Sequence, residues 1–156
     1  MKLASLLLIA ICASSELFGF QCFPASQSQA FSHAFAVFRG TVVRVQIMHP
    51  GRSEPALVTF KVDRGWKGPV TKTMRVFVPV RPRPEGDTYH FHEGIRYVVY
   101  ASNNVRQDFE NLRDLSGGRP VYGIGDKCVW RVRTDVMQES KRLGKGQRPK
   151  QDPPSP

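Results

Sequence analysis

Four stretches of the sequence alternate apolar and polar residues with a period of two, and this pattern most constrains the fold. In residues 58–62 (VTFKV), for example, the apolar side chains occupy every second position. Such a period places apolar side chains on one face of a β-strand, and glycine and proline residues separate the stretches. The pattern predicts strands over residues 37–47, 56–64, 73–80 and 95–101, a short piece at 89–92, and a bulge or bend at Gly40.

Two other stretches predict helices. Residues 27–36 repeat alanine and phenylalanine at helical spacing, and residues 132–143 form an amphipathic pattern that ends at Gly144. Residues 103–126 show no clear period. Twisted strands avoid exposed edges best by closing on themselves. We therefore predict a mostly β fold, a small closed Greek-key barrel of the OB-fold type with a C-terminal helix.

The N-terminus predicts export. Lys2 is followed by an apolar run and then by small residues, which is the composition of a secretory signal peptide. The run is shorter than the roughly 20 apolar residues that span a bilayer. We expect a signal peptide over residues 1–19, ending between residues 13 and 21, and a secreted or periplasmic protein with no membrane span. The alternative is a buried N-terminal helix.

Removal of the signal peptide would leave two cysteines. Cys12 departs with it, so Cys22 and Cys128 remain. An even pair in an oxidising compartment favours a disulfide over two free thiols. The bridge would close a loop of about 100 residues, for which loss of chain entropy contributes up to about 4.7 kcal/mol. Two cysteines are too few for a structural zinc site.

The net charge of +10 predicts attraction to polyanions. Part of this charge lies in residues 145–156, which carry Lys145, Arg148 and Lys150 and end in prolines. This segment has almost no apolar residue to bury, so we expect it to be a disordered tail. The folded domain is predicted over residues 20–144.

The order of several motifs resembles the netrin-like module, and more specifically the tissue inhibitor of metalloproteinases family with its secreted bacterial relatives. Cys128 and the helix that follows it are similar to the closing segment of that family. The resemblance covers about residues 21–144 and implies an OB-fold barrel, export and protein binding. The motifs are residues 35–43 (FAVFRGTVV), 58–62 (VTFKV), 65–68 (GWKG) and 91–101 (FHEGIRYVVYA).

The sequence departs from the inhibitors at their reactive end. Their mature chain begins Cys-x-Cys, and the first cysteine chelates the zinc of the target protease. Here Phe20 stands in place of that cysteine, and its partner cysteine is also missing beside residues 86–87. The resemblance therefore implies a secreted, non-enzymatic binding protein, a metalloprotease inhibitor of altered mechanism. It would contact its partner through Cys22, Phe23 and Pro24.

A polyanion-binding module is the alternative hypothesis. It rests on the net charge and on the OB-like strands, since this fold commonly binds oligonucleotides and oligosaccharides. Arg81 and Arg83 lie in a proline-rich loop, where their guanidinium groups could bind phosphates or carboxylates. The same loop is equally consistent with a solvated connection between strands.

Signals for catalysis are few. His90 and His92 share one face of a predicted strand and could bind a metal, but two histidines lack the third and fourth ligands of a usable site. We interpret them as surface residues. No nucleophile motif or phosphate-binding loop occurs. We predict no enzymatic activity, no metal and no cofactor, and we expect Trp66 and Trp130 to pack in the core and not to bind a ligand.

Overall fold

Strands dominate the structure, a computed structural model that describes residues 26–47, 56–78, 91–103, 120–124, 132–133 and 135–154. The predicted mostly β fold with a helix after the last strand is confirmed. The elements are α1 (Gln27–His33), β1 (Ala36–Ile47), β2 (Ala56–Lys67), β3 (Thr73–Val78), β4 (Arg96–Ala101), β5 (Val121–Gly123), β6 (Val132–Arg133) and α2 (Val136–Leu143).

The strands form one sheet in the order β5-β3-β2-β1-β4-β6. Neighbours are antiparallel, except that β3 and β5 are parallel. Among the described strands β5 and β6 lie at the ends of this order, so the sheet is not closed and the predicted closed barrel is not confirmed. One further link joins distant parts of the sheet. Ser102, directly after β4, exchanges two backbone hydrogen bonds of 2.8 Å with Gly123 in β5.

The inner face of the sheet carries the main hydrophobic core. Three aromatic rings pack edge to face in sequence, with Phe38 5.5 Å from Phe60 and Phe60 5.4 Å from Phe91. Complete burial of such a side chain stabilises the fold by roughly 1.5–3 kcal/mol. A bulge lies opposite Gly40 but on the neighbouring strand, because Arg39 pairs with Arg64 and Gly40 pairs with Val62, which leaves Asp63 of β2 as the extra residue.

A smaller core lies on the outer face, where α1 and α2 cover one end of the sheet. Ala30 of α1 packs there with Val37, Val98 and Tyr100, and Val136 and Leu143 of α2 pack against the same cluster. A capping box at Ser26 begins α1, because the Ser26 hydroxyl accepts from the backbone N–H of Gln29.

Several predicted boundaries differ from the structure. β2 continues to Lys67, three residues beyond the predicted end at residue 64. The C-terminal helix begins at Val136, because Asp135 caps it. Val132, which was predicted to be helical, lies in β6 and pairs with Val99 of β4. Residues 91–92 are not in a strand, and β5 lies inside the stretch without a clear period.

The expectation of a disordered tail is wrong for residues 145–154, which we call the tail segment. Gln147 exchanges backbone hydrogen bonds of 2.7 and 2.9 Å with Gly65, and Lys150 forms two of 2.9 Å with Val70 and Lys72. The segment follows the hairpin between β2 and β3 by backbone pairing. Apolar content did not predict this, because backbone hydrogen bonds require no apolar side chain.

Candidate functional site

Most of the residues that the sequence singled out lie outside the described residues. This holds for the proposed inhibitory contact, for both cysteines of the predicted disulfide, for the basic loop and for one of the two histidines. The residues are Cys22, Phe23, Pro24, Arg81, Arg83, His90 and Cys128.

His92 lies in an exposed position just before β4. Its backbone N–H donates to the Tyr97 hydroxyl at 3.1 Å, and the backbone N–H of Gly94 donates to the Val42 carbonyl at 2.8 Å. These bonds tie the approach to β4 against β1. Within the described part of the chain, no three histidine, cysteine, aspartate or glutamate side chains are grouped as metal ligands.

The outer face of the sheet brings together cations that sequence reasoning did not single out. Arg44 of β1 lies directly opposite Thr59 of β2, and Thr59 lies opposite Arg75 of β3. Directly opposed residues point to the same side of a sheet, with Cβ atoms about 4.5–5.5 Å apart. These three side chains therefore form one row across three strands.

A second row lies next to the first. Thr41 of β1 is opposite Arg96 of β4 on one side and Lys61 of β2 on the other, and Lys61 is opposite Thr73 of β3. The two rows alternate cationic and hydroxyl side chains. We call this surface the basic face: Thr41, Arg44, Thr59, Lys61, Thr73, Arg75 and Arg96.

The geometry of the sheet sets the spacing of the charges. Neighbouring strands are about 4.8 Å apart, so two cations separated by one intervening strand stand about 10 Å apart. Arg44 and Arg75 are related in this way, as are Lys61 and Arg96. The arrangement suits an elongated anion that crosses the strands.

Acidic side chains neutralise only part of this surface. Asp63 accepts from Arg39 Nε at 2.8 Å and lies 3.8 Å from Arg96 Nε. Arg39 also donates to the Ser140 hydroxyl at 3.3 Å. Among the described residues, no carboxylate lies within ion-pair distance of Arg44 or Lys61.

Buried residues frame the basic face at both ends. The two helices cover the end that carries Val37 and Tyr100. At the other end Leu57 and Phe77 are opposed across β2 and β3, and each is 3% exposed. The cationic rows thus occupy the accessible band between two buried zones.

A cavity of about 140 Å³ adjoins the basic face. At its border Asp152 of the tail segment accepts from the backbone N–H of Thr73 at 2.8 Å and from the Thr73 hydroxyl at 2.7 Å. Burial raises the pKa of Tyr122, which also lines the cavity. The lining residues are Pro69, Thr71, Thr73, Arg75, Pro120, Tyr122, Asp152 and Pro153.

Trp66 packs as expected. Its indole N–H donates to the Gly144 carbonyl at 2.9 Å, and its ring contacts the cluster under the helices. It therefore holds the end of α2 against β2. Trp130 lies outside the described residues.

Comparison with family models and with curated proteins finds no match to this chain. Helices of the described residues are too short or too polar to cross a membrane. The basic face is therefore interpreted from its own geometry and charge.

Proposed function

We propose that the chain is an exported, non-enzymatic binding protein that holds linear polyanions on the basic face. The observation that carries this proposal is the pair of adjacent rows across β4, β1, β2 and β3, whose seven positions are arginine, lysine or threonine. Sulfate, phosphate and carboxylate groups are the ligands that such side chains bind.

The physical basis is electrostatic. A protein that neutralises anionic groups of a polymer releases condensed counterions, and this gain in entropy drives binding at low salt. Arg44 and Lys61 are the best-placed contacts, since both are exposed and no described carboxylate competes for them. The intervening threonine hydroxyls add hydrogen-bond donors between the charges.

The same proposal includes a curled sheet. Hydrogen bonds between Ser102 and Gly123 link the end of β4 to β5, which already pairs with β3. In a barrel of the OB type the strands that correspond to β4 and β5 are neighbours, and one face of the strands often binds oligosaccharides or oligonucleotides. This link supports a small Greek-key barrel with the basic face on its outside.

The netrin-like resemblance and the signal peptide belong to the same hypothesis, because both imply an exported binding module. The inhibitory mechanism depends on Cys22, Phe23 and Pro24, which lie outside the described residues. It stays a prediction, tested by assaying the mature protein against a panel of metalloproteases.

Salt-dependent binding tests the polyanion proposal. We expect the mature protein to bind dextran sulfate with an affinity that falls steeply as salt rises. Arg44→Gln and Lys61→Gln should each weaken binding and lower the salt slope by about one. The control is Lys141→Gln, which removes an exposed charge from α2 and none from the basic face.

Two results would reject the proposal. Binding that does not depend on salt would exclude the electrostatic mechanism. An equal loss of affinity in Lys141→Gln would mean that net charge, and not the basic face, attracts the polymer. A single-stranded oligonucleotide run in parallel separates recognition of phosphate from recognition of sulfate.

A further inference from the structure

We infer that the backbone N–H and hydroxyl of Thr73 form an anion-binding site at the edge of the basic face, and that Asp152 of the tail segment occupies it as an internal competitor. The inference rests on the proposed function, because it concerns how the same surface takes up a polyanion. The ligand group is a sulfate, phosphate or carboxylate of that polymer.

The contacts at Thr73 are those of an anion site. Both Asp152 oxygens are bound by one residue, through a backbone donor at 2.8 Å and a hydroxyl donor at 2.7 Å. Lys61 lies directly opposite Thr73 on the neighbouring strand, and Arg75 lines the same cavity as Asp152. Two donors beside two cations bind an oxyanion whether it comes from the tail segment or from a ligand.

The tail segment is attached in a way that permits release. Each of its residues is exposed or half-buried, so no complete burial of an apolar side chain holds it. It forms hydrogen bonds to Gly65, Val70, Lys72 and Thr73, each of which contributes only about 0.5–1.5 kcal/mol net, because water replaces it when the segment detaches. Release also restores the conformational freedom of about ten residues. Docking is therefore closely balanced, and a polymer with many anionic groups displaces one tethered carboxylate.

Gly146 offers a way to release the tail segment without altering the charge. Its φ is +59°, and a Cβ atom there would lie 2.8 Å from Trp66 Nε1 and 2.9 Å from the Gly65 carbonyl. Gly144 has a φ of +78° but open space around the same position. Gly146→Ala thus opposes docking, because the added methyl group overlaps Trp66 and Gly65. Gly144→Ala is the matched control, because it introduces backbone strain without such an overlap.

The first measurement compares dextran sulfate affinities of full-length variants. If the tail segment is docked about nine-tenths of the time, its release raises the apparent affinity about tenfold. We expect this increase in Asp152→Ala and in Gly146→Ala, and a smaller one in Gly144→Ala. Asp135→Asn removes one negative charge while keeping the cap of α2. It should leave the affinity near that of the unmodified protein.

The second measurement follows amide hydrogen exchange in the unmodified protein. Saturating dextran sulfate should speed exchange at Gln147 and Lys150, whose amides pair with the hairpin, and leave the Val58 amide in the core unchanged. Inorganic sulfate, tested alongside, shows whether a single anion suffices or a polymer is needed.

The outcomes separate this inference from the proposed function. Slower exchange at Gln147 and Lys150 on binding would show that the tail segment contacts the ligand, which overturns competition. Unchanged affinity in both Asp152→Ala and Gly146→Ala, with Lys61→Gln still weakening binding, would reject the inference alone. No binding of dextran sulfate by any variant would reject the proposed function and the inference with it.

Discussion

The hydroxyl of Tyr100 donates a hydrogen bond of 2.5 Å to Oε1 of Glu139, in a buried contact between β4 and α2. Glu139 is 1% exposed and is the one fully buried residue of α2. A carboxyl group leaves water only at a cost that hydrogen bonds must offset. This pair therefore fixes the position at which α2 docks on the sheet.

We expect Tyr100→Phe to lower the free energy of unfolding by about 1–3 kcal/mol. The substitution keeps the ring in place but removes one hydrogen-bond donor from a buried carboxyl group. Urea unfolding followed by circular dichroism measures the change. Met137→Ala is the control, because it truncates a side chain of the same helix that is 83% exposed and should cost about 0.5 kcal/mol or less. A Tyr100→Phe variant as stable as this control would contradict the interpretation.

Two glycines with similar positive φ angles should differ in how much their replacement by alanine destabilises the fold. Gly68 has a φ of +76°, and a Cβ atom there would overlap the Phe35 carbonyl oxygen. Gly94 has a φ of +82° with nothing near that position. We expect Gly94→Ala to cost about 1–2 kcal/mol from backbone strain alone, and Gly68→Ala to cost distinctly more. Thermal unfolding compares them, and equal losses would show that Phe35 moves away freely.

The long strands were predictable from the sequence because their alternation is a local property. The C-terminal helix was predicted four residues too early, since Val132 fits the helical spacing of Val136 and Leu143. In the structure Val132 pairs with Val99, which lies far away in the chain. Such pairing is set by tertiary contacts, and a short window of sequence does not contain them.

The basic face was not predictable because a bulge changes the phase of β1. Arg39 and Thr41 point outward before it, and Arg44 points outward after it, since the register shifts between Val42 and Arg44. The odd-numbered Arg39 and Thr41 and the even-numbered Arg44 therefore lie on the same face. Alternation alone gives the two sides of each strand, but the cross-strand register decides which cations become neighbours.

Export and the disulfide give a prediction about the mature protein. We expect an N-terminus between residues 14 and 22 and a bond between Cys22 and Cys128, seen as a lower intact mass before reduction. Reduction should destabilise the fold by several kcal/mol, up to about 4.7, because the bond closes a loop of about 100 residues. A chain that retains residues 1–12, or one with equal stability in both redox states, would contradict this prediction.

Tyr122 should make stability depend on alkaline pH. It is 9% exposed, its ring stacks on Phe35 with centroids 5.9 Å apart, and burial raises its pKa. The unfolded chain therefore loses the phenol proton first, near its ordinary pKa of about 10. The stability from this residue is complete below about pH 10 and is lost as the pH rises toward the folded pKa.

Tyr122→Phe isolates this effect, because the other tyrosines titrate in both proteins and cancel in the comparison. We expect the free energy of unfolding of the unmodified protein to fall more steeply above about pH 10 than that of the variant. Urea unfolding at several pH values measures both curves. Parallel curves would mean that the phenol titrates alike in the folded and unfolded chains, and hence that water reaches the Tyr122 hydroxyl at the border of the cavity.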